Sequence, residues 1–256
     1  MIISLLNQKG GVGKSTTASN LIYYLKSKKY KVLGIDIDAQ GNLSKLFNAN
    51  NSDDTLTIMD LLVGKAKIEE VIQSTSSGDI IPANKNLQVA LMQIATNPDF
   101  FFVLKEITES VSDYDFIVID CPPTMNIITT SALVASDYVL IPSEMEYLSL
   151  NGVTELETAI RSVTKRTNPN LKIAGILLTK YDSRKRLTKS MEALFERQAD
   201  DIFTAKILPI KIRNSVDIPT GQALKKTIFE YKPTSKSAED YKALCEYVIK
   251  LKKKEK

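Results

Sequence analysis

Residues 9–16 read KGGVGKST, and they follow directly on the apolar run Met1–Leu6. A strand that ends in a glycine-rich turn and then opens a helix forms a cradle for phosphate. Gly10, Gly11 and Gly13 carry no Cβ, so backbone N–H groups can come close to phosphate oxygens. A helix starting near Gly13 adds the positive end of its dipole. The spacing gives Gly10, Gly11, Val12, Gly13, Lys14, Ser15 and Thr16 to a bound nucleotide. Lys14 would reach the β- and γ-phosphates, and the Ser15 hydroxyl would sit on Mg²⁺. The substrate class implied is a nucleoside triphosphate.

The common phosphate-loop pattern wants a glycine five residues before Gly13, where this chain has Gln8. It carries an additional lysine instead, Lys9, beside Gly10 and Gly11. This deviant form of the motif is more restrictive, because two extra glycines and a placed lysine seldom coincide.

Apolar runs suited to buried parallel strands occur at Ile2–Leu6, Val32–Ile37, Phe116–Ile119, Tyr138–Ile141 and Ile173–Leu178. Asp79–Pro82 and Lys206–Pro209 are shorter candidates. Helical spacing of apolar residues marks Ser15–Lys28, Asn151–Lys165, Leu187–Phe203 and Ala238–Leu251. Strands alternating with helices predict an α/β fold with a mostly parallel twisted sheet, covered by helices on both faces. Ligands of such folds sit at the carboxyl ends of the strands. Asp36, Asp38 and Asp120 all fall at such ends. No linker or repeat divides the chain, so residues 1–251 read as one domain and 252–256 as a disordered basic tail.

Composition narrows the chemistry. With 2 cysteines and no histidine, a disulfide framework, a metal cluster and a histidine base are excluded. No run of 18 apolar residues occurs, so no membrane span is expected, and a cytoplasmic location is the default. The net charge of +4 is unevenly spread. Residues 1–173 hold 15 basic and 19 acidic residues, whereas residues 174–256 hold 19 and 11. A basic C-terminal third suits a polyanion.

Three further segments, with the deviant loop, carry a resemblance over Met1 to about Tyr247. VLGIDIDAQGNLS at 32–44, YDFIVIDCPPT at 114–124 and VLIPSEMEYLSLNG at 139–152 resemble successive motifs of the ParA/MinD family of deviant Walker ATPases, and most closely its ParA branch. The resemblance implies a P-loop ATPase that uses ATP and Mg²⁺ and hydrolyses ATP slowly by itself. The 2 cysteines set the chain apart from the related nitrogenase iron protein, whose cluster needs paired cysteines. Nothing precedes the first strand, so the chain resembles the short members, without a helix-turn-helix.

The same resemblance assigns roles residue by residue. Lys9 would reach across a homodimer to the partner's triphosphate, supplying the second cation that phosphoryl transfer needs. Asp38 would orient the attacking water. Asp36 would stand in the magnesium environment, and Asp120 would bind a magnesium water as the Walker B acid. Lys9, Lys14 and Asp38 are thus the catalytic candidates. Ser15, Asp36 and Asp120 are the metal candidates. Pro209 matches a position where a loop packs on the adenine ring, and TKYD at 179–182 resembles a segment also near the base.

Arg213, in IKIRNSVDIP, matches an arginine that contributes to DNA binding in short ParA proteins. Arg184, Lys185 and Arg186, with Lys211, Lys225 and Lys226, are further candidates. Cations without interleaved aromatics suit phosphate contact, so binding to double-stranded DNA would be nonspecific and salt-dependent. The implied function is ATP-dependent DNA partition on the nucleoid. Release would be triggered by a centromere-binding adaptor, either ParB-like or of the small ribbon-helix-helix type. The alternatives are a MinD-like positioning ATPase at the membrane surface and a ParA-like positioner of a protein cargo. The stripe Tyr241, Leu244, Cys245, Val248 and Leu251 is either the amphipathic membrane helix of the MinD reading or a helix packed on the domain.

Overall fold

The computed structural model of the chain describes residues 1–94, 99–145, 150–184 and 205–254. Eight strands form one sheet: β1 (Ile2–Leu5), β2 (Val32–Asp36), β3 (Gln73–Ser74), β4 (Asp79–Ile81), β5 (Phe116–Asp120), β6 (Tyr138–Glu144), β7 (Lys172–Tyr181) and β8 (Ile207–Arg213). Their order is β3-β4-β2-β5-β1-β6-β7-β8. Among the described residues only β3 runs antiparallel, against β4. All five longer strands predicted from apolar runs are present, and both shorter candidates are strands as well.

The central strands are buried on both faces because helices cover both, and alternate residues enter opposite cores. Leu33, Ile35, Ile117, Ile119, Val139 and Ile141 enter one core, under helices Phe100–Glu109 and Ile127–Ala135. Ile3, Leu5, Val32, Phe116, Val118 and Leu140 enter the other, under helices Lys14–Ser27 and Lys236–Lys254. Lys14–Ser27 lies close on β2 because residue 34 is glycine. A Cβ there would meet Ile22 Cδ1 at 2.8 Å.

Helix Lys236–Lys254 settles the apolar stripe. Tyr241, Leu244, Cys245 and Val248 are buried in the second core, and Leu251 packs against it. The stripe is the inner face of a packed helix. Of the expected tail, residues 252–254 belong to this helix, which runs on through Lys254, and residues 255–256 lie outside the described residues. Lys252 holds it there: Nζ donates to the Asp115 carbonyl, pairs with Asp115 Oδ1 at 3.0 Å and lies 4.6 Å from the Phe116 ring centroid. Its aliphatic stem and charge each find a partner, which a frayed end would forfeit.

Several elements escape the apolar patterns, the helix Ile127–Ala135 and the short helices among them. Strand β3 has 2 residues, too few for a periodicity. Helices Asn86–Ile94 and Phe100–Glu109 fall where the sequence analysis placed no element. The predicted helix Leu187–Phe203 lies outside the described residues.

Candidate functional site

The carboxyl ends of β1, β2, β5 and β7 open onto a cavity of ≈ 890 Å³. Gly10–Thr16 line its floor, with Asp38 and Pro123 on one side. Lys180, Ile212–Ser215, Ile218 and Pro219 line a second lobe.

The loop is shaped for an anion before any arrives. Gly11 and Gly13 have φ of 77° and 90°, in the left-handed region where a side chain is strained. A Cβ at Gly10 or Gly11 would meet nothing within 4 Å, so the space above them is open to a ligand. Lys14 begins the helix and is 7% exposed. Its Nζ donates to the carbonyls of Asn7 at 3.0 Å and Lys9 at 3.1 Å, which hold the ammonium inside the loop. Burial lowers its pKa, while Asp120, Cys121 and Asp38 pull it back up. From across the sheet, Thr179 Oγ1 donates to the Val12 carbonyl at 2.8 Å and clasps the loop to β7.

The three acids have three different settings. Asp120 is fully buried; its carboxylate oxygens make no well-formed hydrogen bond, and the Ser15 hydroxyl is the donor beside them. Burial, then the charge of Asp36, push its pKa well above the usual carboxylate range, against the pull of the Ser15 hydroxyl and Lys14. A buried carboxylate without a well-formed hydrogen bond is costly. Beside a P-loop serine it fits a bound cation with water, so the residues suit magnesium. Among the described residues no group of three or more Cys, Asp or Glu forms a metal cluster, so the cation's remaining ligands would be phosphate and water.

Asp36 lies beside Asp120 in register and is fully buried, but its carboxylate is already committed. Oδ2 accepts from Ser44 N at 2.9 Å and Ser44 Oγ at 2.7 Å, and Oδ1 accepts from Asp38 N at 3.1 Å. These bonds fix the turn that carries Asp38, while Asp36 keeps its place beside Asp120. Asp38 is 9% exposed and lines the cavity, with Oδ1 accepting from Gln40 N at 2.9 Å.

Lys9 does not line the cavity; its N–H donates to Asn7 Oδ1 at 2.9 Å. Pro209 is corrected. It is exposed within the edge strand β8, where the register to β7 shifts, and it does not reach the cavity. An edge strand with a register shift tolerates the missing N–H. The proline at the second lobe is Pro219.

Of the DNA candidates, Arg213 is bound bidentately to Asp240, with Nε and Nη2 each at 2.6 Å from an oxygen. Arg184 pairs with Asp182 at 2.9 Å. Lys211 Nζ lies 4.5 Å from the Tyr181 ring centroid. Lys185 and Arg186 lie outside the described residues. Lys225 and Lys226 are exposed. The sequence did not reveal the Thr179 clasp or the lining by Ile218, Pro219 and Gln222, because each joins segments far apart in the chain.

A family model described as an AAA domain matches residues 1–173. The sporulation initiation inhibitor protein Soj of Bacillus subtilis is 36% identical over 250 residues, covering 96% of this chain and 97% of that protein. The chromosome-partitioning ATPase Soj of Treponema pallidum is 35% identical, with 95% of each chain covered. Among solved structures, cobyrinic acid a,c-diamide synthase from Mycobacterium smegmatis with bound ADP and magnesium superposes with a TM-score of 0.85. It is 26% identical, with 100% of this chain and 96% of that one covered.

Proposed function

The chain belongs to the Soj/ParA family of chromosome-partitioning ATPases, and on that premise we propose that it is an ATP-driven DNA partition protein. In this reading ATP closes two copies into a sandwich dimer, the dimer coats DNA without sequence preference, and an adaptor bound to a centromere-like site stimulates hydrolysis and release. The observation that carries the reading is the cavity itself: a preshaped phosphate loop beside a buried carboxylate without a well-formed hydrogen bond.

Each residue has a part in that chemistry. The loop N–H groups and Lys14 hold the β- and γ-phosphates. Asp38, held by the Asp36–Ser44 turn, accepts a hydrogen bond from the attacking water and aims it. Ser15 and Asp120 are the residues to hold magnesium, which when bound neutralises charge on the phosphate oxygens. Lys9 supplies positive charge to the partner's γ-phosphate, so turnover depends on dimerisation. The Ile212–Ser215 segment with Ile218 and Pro219 covers the base.

The MinD-like alternative lacks support from the C-terminal helix, whose apolar stripe is buried. DNA binding is supported by the basic C-terminal third, although Arg213 and Arg184 are each paired with an acid. Cosedimentation with plasmid DNA and with anionic liposomes, each with MgATP or MgADP, tests the reading. ATP-dependent pelleting with DNA alone is expected. ATP-dependent pelleting with liposomes alone would overturn it in favour of a membrane-surface ATPase.

A further inference from the structure

Gln222 lies on the short helix Asp217–Ala223 and lines the cavity together with Thr16 of the phosphate loop. Its Nε2 donates to Thr16 Oγ1 at 2.7 Å, across 206 residues of sequence. An amide nitrogen can only donate, so in this bond the Thr16 hydroxyl is the acceptor. Its own proton must therefore point elsewhere. A threonine in a helix ordinarily returns that proton to the carbonyl four residues back. Here that carbonyl belongs to Val12; it accepts from Thr179 Oγ1 at 2.8 Å, and among the described residues the Thr16 hydroxyl donates to no group. The Thr16 backbone carbonyl is likewise in use, accepting from Ser19 Oγ at 2.9 Å and Asn20 Nδ2 at 2.8 Å.

We infer that Gln222 is a positioning residue for phosphate recognition: it fixes the Thr16 hydroxyl as an acceptor on one side so that its proton is presented to a phosphate oxygen of the bound nucleotide. This rests on the nucleotide reading of the cavity and adds a residue from outside the motif to it. It also has a mechanical consequence. Helix Asp217–Ala223 follows Asn214 and Ser215 of the second lobe and precedes the exposed Lys225 and Lys226. The Thr16–Gln222 bond thus ties the phosphate loop to the segment carrying those lysines.

A double-mutant cycle on the full chain tests the inference, with fluorescent N-methylanthraniloyl-ADP plus Mg²⁺ as the probe and urea midpoints to check folding. Gln222→Ala should weaken binding ~10-fold, the scale of one lost charge-assisted hydrogen bond. In a Thr16→Ala background the same change should cost almost nothing, because the hydroxyl it positions is gone. Gln222→Glu should be worse than Gln222→Ala, since a carboxylate would take the Thr16 proton for itself. A helix-packing role would instead produce the same loss in both backgrounds, and that result overturns the inference. So does full affinity in Gln222→Ala. Wild-type protein that binds no nucleotide would overturn the cavity reading along with it, whereas wild-type binding with an additive cycle would overturn this inference alone.

Discussion

The carboxylate of Asp36 holds both the N–H and the hydroxyl of Ser44, at 2.9 and 2.7 Å, while its strand neighbour Asp120 makes no such well-formed bond. Two acids side by side in register thus have opposite roles. One is a finished structural contact and the other an open one.

Opposite stability effects should follow. Ser44→Ala removes one donor from a buried carboxylate and should cost about 1–3 kcal/mol in urea unfolding without ligand. Asp120→Asn relieves the cost of holding a carboxylate in a buried place beside Asp36, so it should leave the ligand-free chain as stable as wild type or more so. It should also abolish the gain in stability from MgATP. A large stability loss in ligand-free Asp120→Asn would contradict this division.

Turnover and dimerisation should separate at Lys9 and Asp38. Lys14→Ala should abolish ATP binding. Lys9→Ala should bind ATP yet remain monomeric in size-exclusion with MgATP. Asp38→Ala should dimerise and stay on DNA but lose hydrolysis by ~100-fold or more, the scale of a lost water-positioning carboxylate. An ATP-dependent dimer that survives Lys9→Ala would end the cross-subunit assignment.

Arg213 is closed off by Asp240, so its charge is largely cancelled at the surface. If Arg213 nevertheless touches DNA phosphate, Asp240→Asn should tighten ATP-dependent DNA binding and steepen the salt dependence by about one unit of log slope. Titrations from ~50 to ~200 mM salt measure both quantities. Unaltered affinity and slope in Asp240→Asn would remove Arg213 from the DNA surface and leave the basic charge of Lys225 and Lys226 to carry it.

The C-terminal anchor should be sensitive to acid. The hydrogen bond from Lys252 is the largest influence holding the Asp115 carboxyl below its ordinary value. A depressed folded pKa gives stability that is present above the unfolded value, about 3.9, and lost as pH falls through the folded one. Asp115 is 43% exposed, so solvent screens the pair and its contribution is about 0.5 kcal/mol. Lys252→Met should lower the urea midpoint at pH 7, and the difference from wild type should shrink by pH 3. An equal difference at both pH values would mean that ring packing alone holds the helix end.

By itself the sequence determined the sheet, the phosphate loop and the acids at the strand ends. Those signals are local: apolar runs of strand length, glycines where backbone must approach a ligand, and carboxylates just past a buried strand. The tertiary structure alone decided what each candidate is free to do. Asp36 and Asp120 look equivalent in sequence, yet Ser44 reaches only the first. Arg213 looks like a free cation until Asp240, 27 residues later, closes on it. Pro209 and Pro219 could each have faced the cavity until the shift in register at the edge strand put the first outside. Gln222 and Lys252 carried no motif, and the TKYD resemblance did not foretell the Thr179 clasp, because their partners are brought to them only when the sheet closes and the helices pack. A hydrogen bond between distant segments depends on that packing, and no local pattern of residue types encodes it.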